Sequence, residues 1–278
     1  MCANSCTVTE ERLEVMRFSD PIYKGGISVA VRAADMKGYY DTGKDNKNFW
    51  EKLKDSFERN FIREKRWKLV LEGIGTTCLI TLLAAIFGSV LAFLICMYRR
   101  TGSKLANFAS DIYVKLFQGT PLVVLLMILY YAIFGNSDIN AKWIAVIGFS
   151  LNFGAYASEI MRSGIKSIDG GQREAALALG YSENQAFFRF IFPQAAVRFL
   201  PVYRGEIVSL LKSTSIVGYI AIQDLTKMSD IIRSRTYEAF FPLISTAIIY
   251  FILAWFISIV MNCILKRIDP VSKKKRNK

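Results

Sequence analysis

Histidine is missing altogether from the 278 residues. Its absence removes the imidazole, the usual general base near neutral pH and the commonest metal ligand. Cysteine is sparse. Cys2, Cys6, Cys78, Cys96 and Cys263 show no metal-ligand spacing, and the last three fall in apolar stretches where a thiol behaves as a small packing group. No Gly-x-x-x-x-Gly-Lys-Ser/Thr occurs, so the chain does not hold ATP in a P-loop. No catalytic constellation is present and no cofactor is implied. The opening Met1-Cys2-Ala3-Asn4-Ser5 has neither the basic region nor the apolar core of a signal peptide. Acidic residues are few as well, 23 against 36 Lys and Arg, which leaves a net charge of +13.

What is abundant is apolar side chain: 53% of the residues, with a mean hydropathy of +0.28. The basic residues cluster at the ends of apolar runs, as membrane topology requires, which favours a lipid bilayer over nucleic acid as the partner of this charge. Cys78 to Met97 is an uninterrupted apolar run closed by Arg99 and Arg100, long enough to cross a bilayer. Phe117 to Phe134 is a second candidate span and Trp143 to Met161 a third, interrupted by Asn152 and Glu159. A fourth, Phe199 to Ile220, carries Arg204, Glu206 and Lys212 and is marginal by hydropathy; Phe240 to Leu265 is the last. If the five alternate, Arg99, Arg100, Lys104, Arg162, Lys166, Arg173, Arg189 and the tail Lys273 to Arg276 share one side. That side is expected to be cytoplasmic. Arg63 to Lys68 is the one basic cluster that falls outside.

Between the third and fourth spans lies a polar stretch, Gly171-Gln172-Arg173-Glu174-Ala175-Ala176-Leu177-Ala178-Leu179-Gly180, continuing to Pro193-Gln194-Ala195. It predicts two short helices with a joint. Asp169 is placed to cap the first, with Gln172 completing a capping box, and Gly180 suits the left-handed residue after its end. Ser182 and Gln185 repeat the capping box, and Pro193 marks the next break. The first helix offers mostly alanine methyls to a partner. By composition alone it is also an ordinary amphipathic loop helix.

The same stretch closely resembles the EAA loop of ABC importer permeases. Glu174, Ala175, Ala176, Gly180 and Pro193 stand at the family positions, with Phe192 where Leu is usual. The resemblance implies a coupling helix that docks into a cleft of a cytoplasmic ATPase subunit. Gln118-Gly119-Thr120-Pro121 resembles the Arg-Gly-Thr-Pro of the polar amino-acid branch, with Gln118 in place of Arg. Ala155-Tyr156 through Glu159, Arg162 and Gly164-Ile165 resembles its Ala-Tyr-x-x-Glu-x-x-Arg-x-Gly-Ile. Lys212-Ser213-Thr214-Ser215 resembles its Lys-x-Thr-Ser, although Gly205 stands where Asn is frequent. From about residue 68 onward nearly all of the chain is covered.

Residues 1–65 differ in character. Thr7 to Arg12, Phe18-Ser19-Asp20-Pro21-Ile22-Tyr23 and Val29-Ala30-Val31-Arg32 resemble part of a periplasmic amino-acid-binding domain. Such a two-lobed domain needs roughly 200 residues, so the segment is expected to be a truncated remnant of a fused binding-domain–permease chain; an unrelated soluble tail is the alternative. Phe49 to Phe57 predicts a short amphipathic helix, with Trp50 and Trp67 suited to the interface.

Glu159 and Arg162, three apart, share a helix face and can pair. A carboxylate inside a span is a functional candidate by default, so both are candidates for lining a substrate pathway, or else anchor the helix end. Lys212 and Thr214 are pathway or gate candidates, or internal packing with a paired charge.

The expected fold is all-α: a polytopic transmembrane bundle of the type I ABC importer permease kind, about five spans, with a short α+β N-terminal fragment. Expected divisions are 1–65 (remnant and linker), 66–270 (permease) and 271–278 (basic cytoplasmic tail). The resemblance implies a permease subunit of an amino-acid importer in a bacterial inner membrane. It would pair as a homodimer or heterodimer, draw energy from separate ABC ATPase subunits, and receive substrate from a periplasmic or fused binding protein. An ion-driven carrier, a polytopic membrane enzyme and an inactive fragment of a fused transporter are the alternatives.

Overall fold

The computed structural model describes residues 17–18, 30–31 and 48–268, and the chain divides into two compact units, Met1–Lys54 and Asp55–Lys278. Within the first, strands β1 (Arg17–Phe18) and β2 (Ala30–Val31) pair antiparallel, with Arg17 opposite Val31. The rest of the expected binding-domain remnant, like the basic tail, lies outside the described residues. Helix α1 (Phe49–Phe57) coincides with the predicted amphipathic helix.

The second unit is helical: α2 (Trp67–Arg100), α3 (Lys104–Gly119), α4 (Leu122–Met127), α5 (Ala141–Lys166), α6 (Gly170–Ala178), α7 (Glu183–Ala186), α8 (Phe192–Ser213), α9 (Leu225–Thr236) and α10 (Phe240–Ile268). Three of these, α2, α5 and α10, are long and apolar enough to cross a membrane alone. They contain the expected first, third and fifth spans.

The other two spans are bent pairs. Lys104–Gly119 and Leu122–Ile133 meet at 102°. Pro121 is the cause: it has no N–H to continue a helix and drives the residue before it out of the helical region, and Thr120 is indeed extended, at φ −101° and ψ 129°. The expected second span, Phe117 to Phe134, is therefore the corner and second limb of this pair. The fourth is longer than expected, running from Glu183 to Ile220 before a 55° bend into α9, where Ala221 takes a left-handed φ of 60°. Counting each pair once gives five spans.

Helix α5 is the centre of the bundle. Of its most apolar stretch 67% is buried, against 28% for α2 and none for α10, which lies at the surface of the bundle. Lipid tails are as apolar as leucine, so close van der Waals fit rather than water exclusion holds such helices together. Phe149 and Phe153 of α5 are fully buried with Ile80 of α2 and Leu126 of α4. Arg204, a charge in the marginal span, donates to the Asn262 Oδ1 of α10 at 2.6 Å.

Candidate functional site

The polar loop folds as two short helices with a joint. Asp169 caps α6 by accepting from the Gly171 N–H at 2.7 Å, but the expected reciprocal bond from Gln172 is not made. The Gln172 Oε1 instead accepts from the Gln194 Nε2 at 3.3 Å, tying α6 to the start of α8. At the other end of α6 the Gly180 N–H donates to the Leu177 carbonyl at 2.9 Å and the Tyr181 N–H to the Ala176 carbonyl at 3.1 Å. This is the Schellman arrangement, and it needs a left-handed residue where the two bonds cross; Gly180 has φ +84°. The Ser182–Gln185 capping box is complete. Arg173 closes the joint with a forked pair of bonds to the Glu183 carboxylate.

Ala176 is buried against the loop, while Glu174, Ala175, Ala178 and Gly180 are exposed. Leu179 joins them, 76% exposed. The residue pattern singled out the alanines but not this leucine; a large apolar side chain just before the capping glycine was the available signal. The loop presents small residues flanking one apolar knob and one carboxylate.

From the loop a string of aromatic contacts leads into the bundle. Phe187 meets Phe192 at 5.8 Å between centroids, Phe192 meets Phe199 at 6.2 Å, Phe199 meets Tyr203 at 6.3 Å, and Tyr203 meets the buried Phe153 at 5.6 Å. Phe192, the departure from the usual leucine, thus touches three rings, since Phe93 of α2 lies 5.7 Å away. The break expected at Pro193 does not occur: the chain stays helical from Glu183 through a wider turn at Phe187–Ile191 into α8, whose first turn holds Pro193, because the wider turn shifts the hydrogen-bond register just before the proline.

Glu159 and Arg162 are paired, as their spacing predicted, with Arg162 Nε to Glu159 Oε2 at 2.9 Å. Glu159 also binds Arg99 of α2 at 2.8 Å, and Arg99 binds Asp111 of α3 at 2.6 Å. These charges knit α2, α3 and α5 together at the loop end of the bundle. Lys212 is exposed. Thr214 is fully buried, and its hydroxyl donates to the Leu211 carbonyl at 2.7 Å.

None of these four lines the polar cavity in the spans. That cavity, about 460 Å³, is bounded by Gln118, Thr120, Pro121, Asn152, Tyr156, Glu206 and Ser209. The Pro121 corner makes its wall, because the break frees backbone and polar side chains that a continuous helix would cover. Asn152 holds the corner in place by donating to the Phe117 carbonyl at 3.0 Å. Glu206, which the sequence marked only as a charge weakening the fourth span, faces this space. A carboxylate in a span facing a cavity was its readable signal.

A bundle with up to five membrane-crossing elements, an intramembrane polar cavity and a capped helical loop displayed at one end defines a solute permease. The chain belongs to the family of binding-protein-dependent transport system inner membrane components, which matches residues 84–274. It is 34% identical over 203 residues to the putative glutamine transport system permease protein GlnP of Rickettsia bellii, covering 72% of this chain and 92% of that protein. It is 34% identical to the L-cystine transport system permease protein TcyB of Bacillus subtilis, covering 76% and 91%. With the arginine transport system permease protein ArtQ of the same organism it shares 32%, covering 72% and 92%. A crystal structure of an amino acid ABC transporter with histidines superposes with a TM-score of 0.67 at 31% identity, over 80% of this chain and 99% of that one.

Proposed function

We propose that this chain is the permease subunit of an ATP-driven importer of polar amino acids, and that α6 is the helix through which a separate cytoplasmic ATPase subunit drives it. The exposed α6 face, held rigid by its Schellman end and the Arg173–Glu183 clamp, carries this reading. The relatives named for glutamine, cystine and arginine support the solute class. Glu174, Ala175, Gly180 and Pro193 form the docking element, with Leu179 as its apolar contact and the buried Ala176 seating the helix on the loop behind it. The loop and the C-terminus then face the cytoplasm, two permease subunits enclose the pathway, and a binding protein delivers the solute. Residues 1–65 are assigned to a segment related to such a binding domain, 66–270 to the permease and 271–278 to a basic tail.

The chain performs no chemistry of its own in this scheme. ATP closes the ATPase pair and shifts the docked loops, and the permease moves between two states that it stabilises differently. The aromatic string from Phe187 to Phe153 supplies a packed connection for that movement. The solute pathway runs along one face of α5, where Asn152, Tyr156 and Glu159 recur at helical spacing, past Glu206 and toward Arg162. Lys212 lies exposed one residue before Ser213 of the cavity wall, and Thr214 packs behind it.

Co-purification with the ATPase subunit tests the docking. Wild type is expected to retain it, and a Glu174→Lys, Gly180→Asp double variant, first shown to insert and fold normally, to lose it. Equal capture by both takes docking away from this loop. The pathway has its own test. Glu206→Gln is expected to lower amino-acid uptake about tenfold or more, the scale of a lost hydrogen bond to a charged group, with ATPase capture intact. Unchanged uptake moves the pathway elsewhere.

A further inference from the structure

A second cavity, about 370 Å³, opens at the loop end of the bundle among α2, α3 and α5. Its wall carries Arg99, Arg100, Arg162 and Lys166, with Asp111 opposite. Counting Glu159 behind them, four cations meet two carboxylates, a surplus of two positive charges. The carboxylates are already shared out: Asp111 to Arg99, and Glu159 to both Arg99 and Arg162. The nearby Asp169 and Glu183 are engaged by the Gly171 N–H and by Arg173. Among the described residues Arg100 has only the neutral Asn184 amide oxygen and the Phe187 ring, 4.4 Å away. Lys166 has no hydrogen-bond or ion-pair partner among the described residues. Arg99, 10% exposed, keeps a buried Nε with no acceptor. The cavity therefore holds donors and charge in want of an anion.

The setting indicates which anion. Arg99 and Arg100 close the apolar α2 run, the position of the membrane–water boundary. Helix α3 leaves that boundary at 102° to the limb that follows it, and Leu105, Phe108, Ile112 and Leu116 form an exposed apolar stripe along it. Helix α3 rises from the boundary beside α5, linked to it through Asp111, Arg99 and Glu159 and, six residues on, through the Phe117 carbonyl and Asn152, so its stripe turns outward to where acyl chains lie while its Asn107 and Asp111 border the cavity. A basic pocket between spans at such a boundary suits a lipid headgroup.

The geometry points to a binding site for the phosphate of an anionic phospholipid, held by Arg100, Arg162 and Lys166, with its acyl chains along the α3 stripe. The site shares Arg162 with the inner end of the proposed solute pathway but does not depend on which solute is carried. Native mass spectrometry of the full chain in detergent tests it, with phosphatidylglycerol, phosphatidylcholine of the same acyl chains, and inorganic phosphate as competitor.

Phosphatidylglycerol is expected to be retained and phosphatidylcholine not, with millimolar inorganic phosphate failing to displace it. Lys166→Ala is expected to weaken retention about fivefold, and Arg100→Gln with Lys166→Ala about 30-fold, at the usual worth of each interfacial cation. Lys142→Ala, at the opposite end of α5, is expected to change nothing. Equal retention of both lipids overturns the proposal, as does an equal loss in Lys142→Ala. Displacement by inorganic phosphate overturns it in favour of a soluble anion. The lipid comparison on wild type stands even if a variant misfolds.

Discussion

Gly164→Val is expected to destabilise the folded bundle by about 3 kcal/mol, the upper range for forcing side-chain volume into a packed contact. A Cβ at this position meets the Phe199 Cβ at 2.7 Å, its Cδ1 at 2.9 Å and the Ala195 carbonyl oxygen at 3.3 Å. A rotamer change can move Cδ1 aside, but it cannot move a Cβ or a carbonyl, so the α5 and α8 backbones must separate. They separate at a costly place. Helix α5 enters the polar loop at Lys166 and α8 leaves it at Phe192, so Gly164 sits at the neck from which α6 hangs. Arg198 reinforces the neck by donating to the Ser167 carbonyl. Thermal unfolding in micelles reads the stability loss, and ATPase capture reads the displaced loop. Gly170→Ala is the control: nothing lies within 4 Å of a Cβ there, so its melting temperature should hold or rise slightly. A Gly164→Val protein as stable as wild type would mean that the two helices are not in contact at this point.

Asp224→Ala is expected to cost about as much, around 3 kcal/mol, by removing a helix cap and leaving buried donors without partners. Asp224 is fully buried. Its carboxylate accepts from the Thr226 N–H at 3.1 Å, the Lys227 N–H at 2.9 Å and the Tyr250 hydroxyl at 3.2 Å. The next residue, Leu225, donates its N–H to the Thr77 Oγ1 of α2 at 3.2 Å. One residue therefore starts α9, turns the chain through its 55° bend and anchors α10 through Tyr250. Asp224→Asn keeps one acceptor oxygen and should recover part of the loss in the same melting assay. If alanine proves neutral, α9 does not depend on this cap.

Local chemistry made much of this legible. The three straight spans could be read from apolar runs closed by Arg99–Arg100 and Lys266–Arg267, because an apolar run of bilayer length has few other uses. Gly180, Ser182 and Gln185 could be read because capping bonds join residues two to five apart. The Gln172 half of the first capping box failed for a non-local reason. Gln194, 22 residues away, offered its amide as a competing partner, and nothing in the local pattern announces that. The second span was misjudged for a related reason. Pro121 stood at the entry of the predicted span, where it was not read as a corner, and neither the proline nor the apolar run states an angle.

The sequence by itself determined the class of this protein. Membrane crossing and a capped polar loop are written in residues close together in the chain, where periodicity and backbone chemistry act directly. Only the tertiary structure decided which charges meet. Arg99 reaches Glu159 across 60 positions and Asp111 across 12, and that choice turns scattered interfacial cations into a pocket with surplus charge. The same holds for the cavity at Glu206 and the neck at Gly164. Each is made by side chains from different helices, whose approach depends on how closely small residues let the backbones pack.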